Sequence, residues 1–212
     1  MSLRIDEIAP NFRAVTTHGE IDFYEWAGDS WVIFLSHPAD FTPVCTTEFG
    51  KIARIVKEFE KRNVKPIGLS VDPIESHFAW IKDIETTQGV KMNFPMISDT
   101  SRKVAVKYNM IHPFDLVNTT IRSLFIIDPN KRIRLTFTYP VTVGRNLNEV
   151  LRAIDALQLA DKYDVATPAD WQPGDDVVIA PNVADEDIPQ KFPKGHKRLL
   201  SYLRTTPQPD QD

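Results

Sequence analysis

Trp31-Val32-Ile33-Phe34-Leu35-Ser36-His37-Pro38-Ala39-Asp40-Phe41-Thr42-Pro43-Val44-Cys45 places an apolar run, a proline-bounded loop and a helix start end to end. The run from Trp31 to Leu35 reads as a strand buried on both faces. From Cys45 onward, Phe49, Ile52, Val56 and Phe59 recur at steps of three and four, with Lys51, Arg54, Lys57, Glu58 and Lys61 on the other side. That is the pattern of a helix with one buried face. A buried strand handing over to an amphipathic helix is half of a β-α-β unit, so the stretch sets the fold class as α/β. It also contains the only cysteine of 212 residues. A lone thiol either packs as a small hydrophobe or reacts. Here it stands at a helix start, where unpaired backbone N–H groups and the positive end of the helix dipole favour a thiolate, and the reactive reading is preferred.

Working outward, residues 5–17 combine turn chemistry at Ala9-Pro10-Asn11-Phe12 with short β-prone segments, and Ile21-Asp22-Phe23-Tyr24 alternates as a further strand would. Downstream, residues 65–72 read as a strand. A helix around 75–86 carries Phe78, Trp80, Ile81 and Ile84, and a strand at 95–99 leads to a helix near 102–108. Strand and helix in alternation predict parallel β-α-β units with helices on both faces. The runs 120–128 and 132–139, joined by Asp128-Pro129-Asn130-Lys131, predict a hairpin, so the sheet is expected to be mixed. Residues 146–163 close this domain as a helix with Leu147, Val150, Leu151, Ile154 and Leu157 on its apolar stripe. The expected organisation is a main domain over 1–163 and a small C-terminal extension over 164–212. Seven prolines after Ala166 argue against extensive regular structure in that extension, yet Trp171, Val177, Ile179, Phe192, Leu199, Leu200 and Tyr202 are too apolar for a free linker. The tail is expected to pack on its own domain or on a partner subunit.

Hydrophobic content of 42%, charged content of 25% and a net charge of −4 describe an ordinary globular chain without a basic footprint for nucleic acid. No apolar run is long enough to span a bilayer, and the first residues carry no apolar export signal. A single free thiol fits a reducing cytoplasm. The histidines at 18, 37, 77, 112 and 196 show no short metal-ligand spacing, so neither a metal nor another cofactor is expected.

Pro38-x-x-x-Thr42-x-x-Cys45 after an apolar strand resembles the active-site motif of the peroxiredoxins. With Val44-Cys45-Thr46-Thr47-Glu48, Gly144-Arg145-Asn146, Ala166-Thr167-Pro168-Ala169-Asp170-Trp171 and Phe192-Pro193-Lys194-Gly195, the chain resembles a 1-Cys peroxiredoxin over nearly its whole length. The resemblance implies a thioredoxin-like fold with an added C-terminal domain, reduction of peroxides, and a homodimer or larger homo-oligomer. It assigns attack on the peroxide to Cys45, orientation of thiolate and peroxide to Thr42, shielding to Pro38, and a cation beside the sulfur to Arg122. An isolated arginine at a strand end would otherwise read as a solvated charge. Glu48 and Arg145 match residues that hold this arginine, although helix-surface charges are nearly as good a reading of the residues themselves. His37 matches a histidine that approaches the cysteine in 1-Cys relatives; a satisfied hydrogen-bonder is the plainer alternative.

Ionisation alone does not account for fast peroxide reduction. Taking an ordinary thiol from roughly 3% to roughly 90% thiolate at neutral pH gains only about 30-fold. Donors aimed at the polarising O–O bond must supply the rest. Two other function classes compete with this reading. Gly28-Asp29-Ser30-Trp31-Val32 resembles the lipase segment of some 1-Cys relatives but lacks its last glycine, and Tyr24 stands where those relatives have a histidine. A chaperone or signalling role leaves no sequence mark. With no second thiol in the chain, an oxidised Cys45 is expected to need an external thiol reductant.

Overall fold

The computed structural model describes residues 3–111 and 119–210, so His112 lies outside the described residues. The chain divides into two compact units, 1–147 and 148–212.

The first unit opens with a hairpin of β1 (Arg13–Thr16) and β2 (Gly19–Asp22). The expected strand through Phe23 and Tyr24 is instead the helical turn α1 (Phe23–Ala27), because the Asp22 carboxylate accepts from the backbone N–H groups of Tyr24 and Glu25 and caps it. Then come β3 (Trp31–Ser36), α2 (Pro43–Arg54), α3 (Val56–Glu60), β4 (Val64–Ser70), α4 (Ile74–Gln88), β5 (Met96–Ser98), α5 (Lys103–Lys107), β6 (Arg122–Ile127) and β7 (Ile133–Tyr139). The helix read as continuous from Cys45 to Phe59 breaks at Ile55, whose φ of −104° and ψ of 14° leave the helical region.

The seven strands form one sheet in the order β2-β1-β5-β4-β3-β6-β7. The β3, β4 and β5 pairings are parallel, while β6 and β7 form the expected hairpin and β6 lies antiparallel to β3, so the sheet is mixed. All six residues of β3 are buried, as its unbroken apolar run requires. Phe12, Phe23, Phe34 and Tyr108 interlock on this unit's core, with ring centroids 4.7 to 6.0 Å apart. A second aromatic contact seats α2. The Phe49 ring lies so close to Gly68 on β4 that a Cβ there would fall 2.7 Å from it, and only glycine lets the helix approach the strand this closely. Trp80 on α4 packs against Phe49 and donates its indole N–H to Thr46 Oγ1 at 3.0 Å, which fixes α2 from the other side.

The second unit holds nearly all of α6 (Leu147–Tyr163), then β8 (Val165–Ala166), β9 (Val177–Ile179), the turn of helix α7 (Ile188–Lys191), β10 (Lys197–Leu200) and β11 (Leu203–Thr206). Against expectation, this proline-rich region builds a four-stranded antiparallel sheet, β10-β11-β9-β8. Its strands span only two to four residues and fit between the prolines, so the prolines end strands rather than prevent them. Leu159, Val165, Trp171, Val177, Ile179, Val183, Ile188 and Phe192 form a core of its own.

Candidate active site

α2 begins where the loop after β3 ends. Thr42 occupies its N-cap and Pro43 its first turn, where a proline's missing N–H costs nothing. The first intrahelical bond of this turn runs from the Thr46 N–H to the Thr42 carbonyl at 3.0 Å, so Cys45 stands in the turn whose N–H groups lack helical partners. The Thr42 hydroxyl donates to the Ala39 carbonyl at 2.9 Å, tightening the loop rather than capping the helix. Pro38 is buried in that loop.

Glu48 follows Cys45 by three residues, which puts both on one face of α2. Facing them are Arg122 at the start of β6 and Arg145 in the segment after β7. Arg122 Nη1 lies 3.5 Å from Cys45 Sγ and also donates to Glu48 Oε2; its Nη2 donates to the Val141 carbonyl at 2.8 Å. Glu48 further accepts from Arg145 three times, from the backbone N–H at 2.7 Å, Nε at 3.0 Å and Nη2 at 2.9 Å. Arg145 Nη1 reaches the carbonyls of Ser36 on β3 and Ser123 on β6, at 2.9 and 2.8 Å. Cys45, Glu48, Arg122 and Arg145 are all buried. Burial presses Arg145 below the usual arginine range, and the Glu48 charge opposes it. Two guanidinium cations thus share one carboxylate in a dry site, leaving one positive charge in surplus. The Cys45 sulfur lies beside that surplus, 3.5 Å from Arg122 Nη1.

The fold therefore brings Cys45, Glu48, Arg122 and Arg145 together, with Thr42 and Pro38 in the loop leading to them. His37 is placed differently. Its Nε2 pairs with Asp40 Oδ1 at 2.9 Å, and its ring stacks on Trp80 with centroids 5.0 Å apart. Asp40 in turn meets His77 Nδ1 at 2.7 Å. Neither Asp40 nor His77 stands out in the sequence by local spacing, because they lie 37 residues apart. A signal existed all the same: His77 shares the buried face of α4 with Trp80 and Ile84 at steps of three and four. The three polar groups lie within 4.8 Å of one another, a clustering that linear histidine spacing could not reveal, and their facing atoms are engaged with each other at hydrogen-bond distance.

Ser30 is hydrogen-bonded to an amide rather than to a base. Its hydroxyl donates to Asn63 Oδ1 at 2.9 Å, and the Tyr24 hydroxyl donates to the Ala9 carbonyl at 2.7 Å, so no base is offered to the serine.

A buried cysteine beside an arginine, at the start of the helix that follows a buried strand, is an arrangement suited to a thiol-based oxidoreductase. Comparison with known proteins narrows the class. The AhpC/TSA family pattern matches residues 5–136, and the C-terminal domain of 1-Cys peroxiredoxin matches residues 156–195. The 1-Cys peroxiredoxin of Dictyostelium discoideum is 53% identical over 209 residues, covering 99% of this chain and 87% of that protein. A yeast mitochondrial 1-Cys peroxiredoxin, solved to explain thiol resolution through the glutathione and thioredoxin systems, superposes with a TM-score of 0.91 at 53% identity, over 97% of this chain and 99% of that one. A cysteine-to-serine form of the peroxiredoxin 6 of Arenicola marina gives 0.93 at 43% identity, over 99% and 100%. The chain belongs to the peroxiredoxin family, in its 1-Cys branch. It is a thiol-dependent peroxidase.

Proposed function

We propose that Cys45 is the nucleophile of this peroxidase and that Arg122, Thr42 and Pro38 complete its reacting centre, with Glu48 and Arg145 holding Arg122. The observation that carries this reading is the 3.5 Å approach of Arg122 Nη1 to Cys45 Sγ inside a buried ring with one cation in surplus. The thiolate attacks one peroxide oxygen, forming an S–O bond as the O–O bond breaks. The leaving oxygen takes a proton and departs as water or alcohol, and Cys45 is left as sulfenic acid. Charge migrates from sulfur to the leaving oxygen. Arg122 and the N–H groups at the start of α2 supply donors fixed in advance for that movement. Thr42 orients the peroxide once its hydroxyl turns from Ala39, Pro38 keeps bulk water off the sulfur, and His37 braces the loop.

Regeneration consumes two external thiols. The first condenses with the sulfenic acid, forming an S–S bond and releasing water; the second attacks that disulfide, returning the Cys45 thiolate and leaving an oxidised external pair. Glutathione or a thioredoxin-type protein has the required chemistry, as in the yeast relative. The enzyme acts as a homodimer or larger homo-oligomer; β7 is an edge strand carrying the half-buried Leu135, Phe137 and Tyr139, a surface suited to pairing across a two-fold axis. The described residues contain no helix long and apolar enough to cross a membrane. We place the protein in the cytoplasm, where one free thiol stays reduced, although the yeast relative is mitochondrial; fractionation of cells decides between compartments. Cys45→Ser is the primary test. Peroxide consumption should fall to background with the fold retained, and substantial residual turnover would overturn the assignment.

A further inference from the structure

Beside the active-site loop, a buried group of polar side chains fixes the positions of its own protons. The side chains of His37 and His77 are fully buried and that of Asp40 is 1% exposed. Asp40 Oδ1 faces His37 Nε2 at 2.9 Å, and Oδ2 faces both His77 Nδ1 and the Ser76 hydroxyl at 2.7 Å. The other nitrogen of His77, Nε2, lies 3.1 Å from the Ile97 carbonyl on β5. A carboxylate and a carbonyl only accept, so each His77 nitrogen must carry a proton and the ring is an imidazolium. His37 donates from Nε2 to the Asp40 carboxylate, and burial presses its pKa down, which favours the neutral ring. The contact between Asp40 and His77 joins the loop to α4.

We propose that His77 is a positioning residue for the peroxidase reaction: as a buried imidazolium it clamps Asp40, and through Asp40 the loop that presents Thr42 and leads into Cys45. Asp40 lies two residues before Thr42, whose hydroxyl is bonded to Ala39 in the same loop. The Asp40 N–H also donates to Asp72 Oδ2 at 3.0 Å, tying the loop to the end of β4. The proposal rests on the peroxidase reading above and adds a residue and a pH dependence to it.

The charged and titratable groups facing His77 are Asp40 from the loop, Asp72 beyond β4 and His37 at the end of β3. Burial presses the His77 pKa down, but the hydrogen bond and charge of Asp40, the Ile97 carbonyl and Asp72 outweigh it, so the net shift is upward. The clamp's contribution is therefore fully present below the ordinary histidine pKa and is lost as pH rises through the raised one. A neutral His77 can donate from only one nitrogen, so it must give up either Asp40 or Ile97. Thiolate formation alone makes oxidation faster, or leaves it level, as pH rises. A fall on the alkaline side is the mark of the clamp.

The test combines stopped-flow oxidation of Cys45 by hydrogen peroxide, from about pH 6 to about pH 9, with nitrogen NMR of the His77 ring in the full chain. His77 should be doubly protonated at neutral pH, and its deprotonation should coincide with the alkaline fall in rate. His77→Leu should slow oxidation about tenfold at neutral pH. His77→Asn keeps a donor for Asp40 without a titrating charge, so it should recover most of that loss and flatten the alkaline fall. A neutral His77 ring at pH 7, a wild-type profile without an alkaline fall, or an unchanged fall in His77→Asn would each overturn the proposal. Failure of the wild-type enzyme to be oxidised would defeat the peroxidase reading instead, and the NMR measurement would still decide the charge of His77.

Discussion

Each unit of the chain buries arginine, and the two settings differ in one respect. In the second unit, Arg204 is 5% exposed and donates to the carbonyls of Val183 and Ala180 and to Asp185 Oδ1, at 2.9, 3.0 and 2.7 Å. Asp185 remains half exposed and also pairs with Arg198, so water and a second charge share the load. In the first unit, Arg122 and Arg145 meet one buried carboxylate, Glu48, with no solvent to absorb the difference. Both settings leave one donor unpaired, the Nε of Arg122 and of Arg204, and bind the remaining guanidinium nitrogens with comparable geometry. Each carboxylate thus faces two guanidiniums, and what separates the settings is burial: Asp185 and Arg198 are half exposed, whereas Glu48, Arg122 and Arg145 are all buried beside the Cys45 sulfur.

The comparison is broken most severely by removing the shared carboxylate. Glu48→Gln leaves two buried guanidiniums without their counter-ion and should destabilise the first unit by about 3–5 kcal/mol in urea unfolding; a loss below about 1 kcal/mol would mean the ring is wetter than described. Next in size is Arg122→Met, which keeps volume while removing the cation. Peroxide oxidation of Cys45 should slow about 10²-fold, measured by stopped-flow fluorescence, with little loss of stability because Glu48 and Arg145 remain matched one to one. An unchanged rate would make Arg122 a structural residue like Arg204. The smallest effect is expected of Arg204→Met, about 1–3 kcal/mol in unfolding of the second unit from its carbonyls left unpaired, with the peroxide rate unaltered.

Features carried by contiguous residues were legible in the sequence. The unbroken run Trp31 to Leu35 made β3 a buried strand, and the periodic Phe49 and Ile52 gave α2 its inner face, which together place Cys45 at a helix start. The hairpin of β6 and β7 followed from its turn residues. Arg122, Glu48 and Arg145 were identified through family resemblance, because 74 and 97 residues separate the two arginines from Glu48 and no local pattern marks the pairing. The misreadings share one cause, a local competition that periodicity does not resolve. At Asp22 a capping carboxylate outweighed strand alternation, and in the C-terminal unit strands of two to four residues were too short to show a period. The link from Asp40 to His77 was invisible for another reason: a histidine on an apolar helix face is readable as buried, but its partner is chosen by the fold.

The central claim is that one sulfur performs the reaction and that its regeneration comes from outside the chain. Mass spectrometry of the purified, reduced protein after one equivalent of hydrogen peroxide, without added thiol, tests it most directly. The account predicts about one peroxide consumed per subunit, a trappable sulfenic acid at Cys45, and sulfinic acid when peroxide is in excess, since no second cysteine competes for it. Rapid and quantitative formation of a Cys45-to-Cys45 disulfide between subunits, reducible in steady turnover, would contradict it.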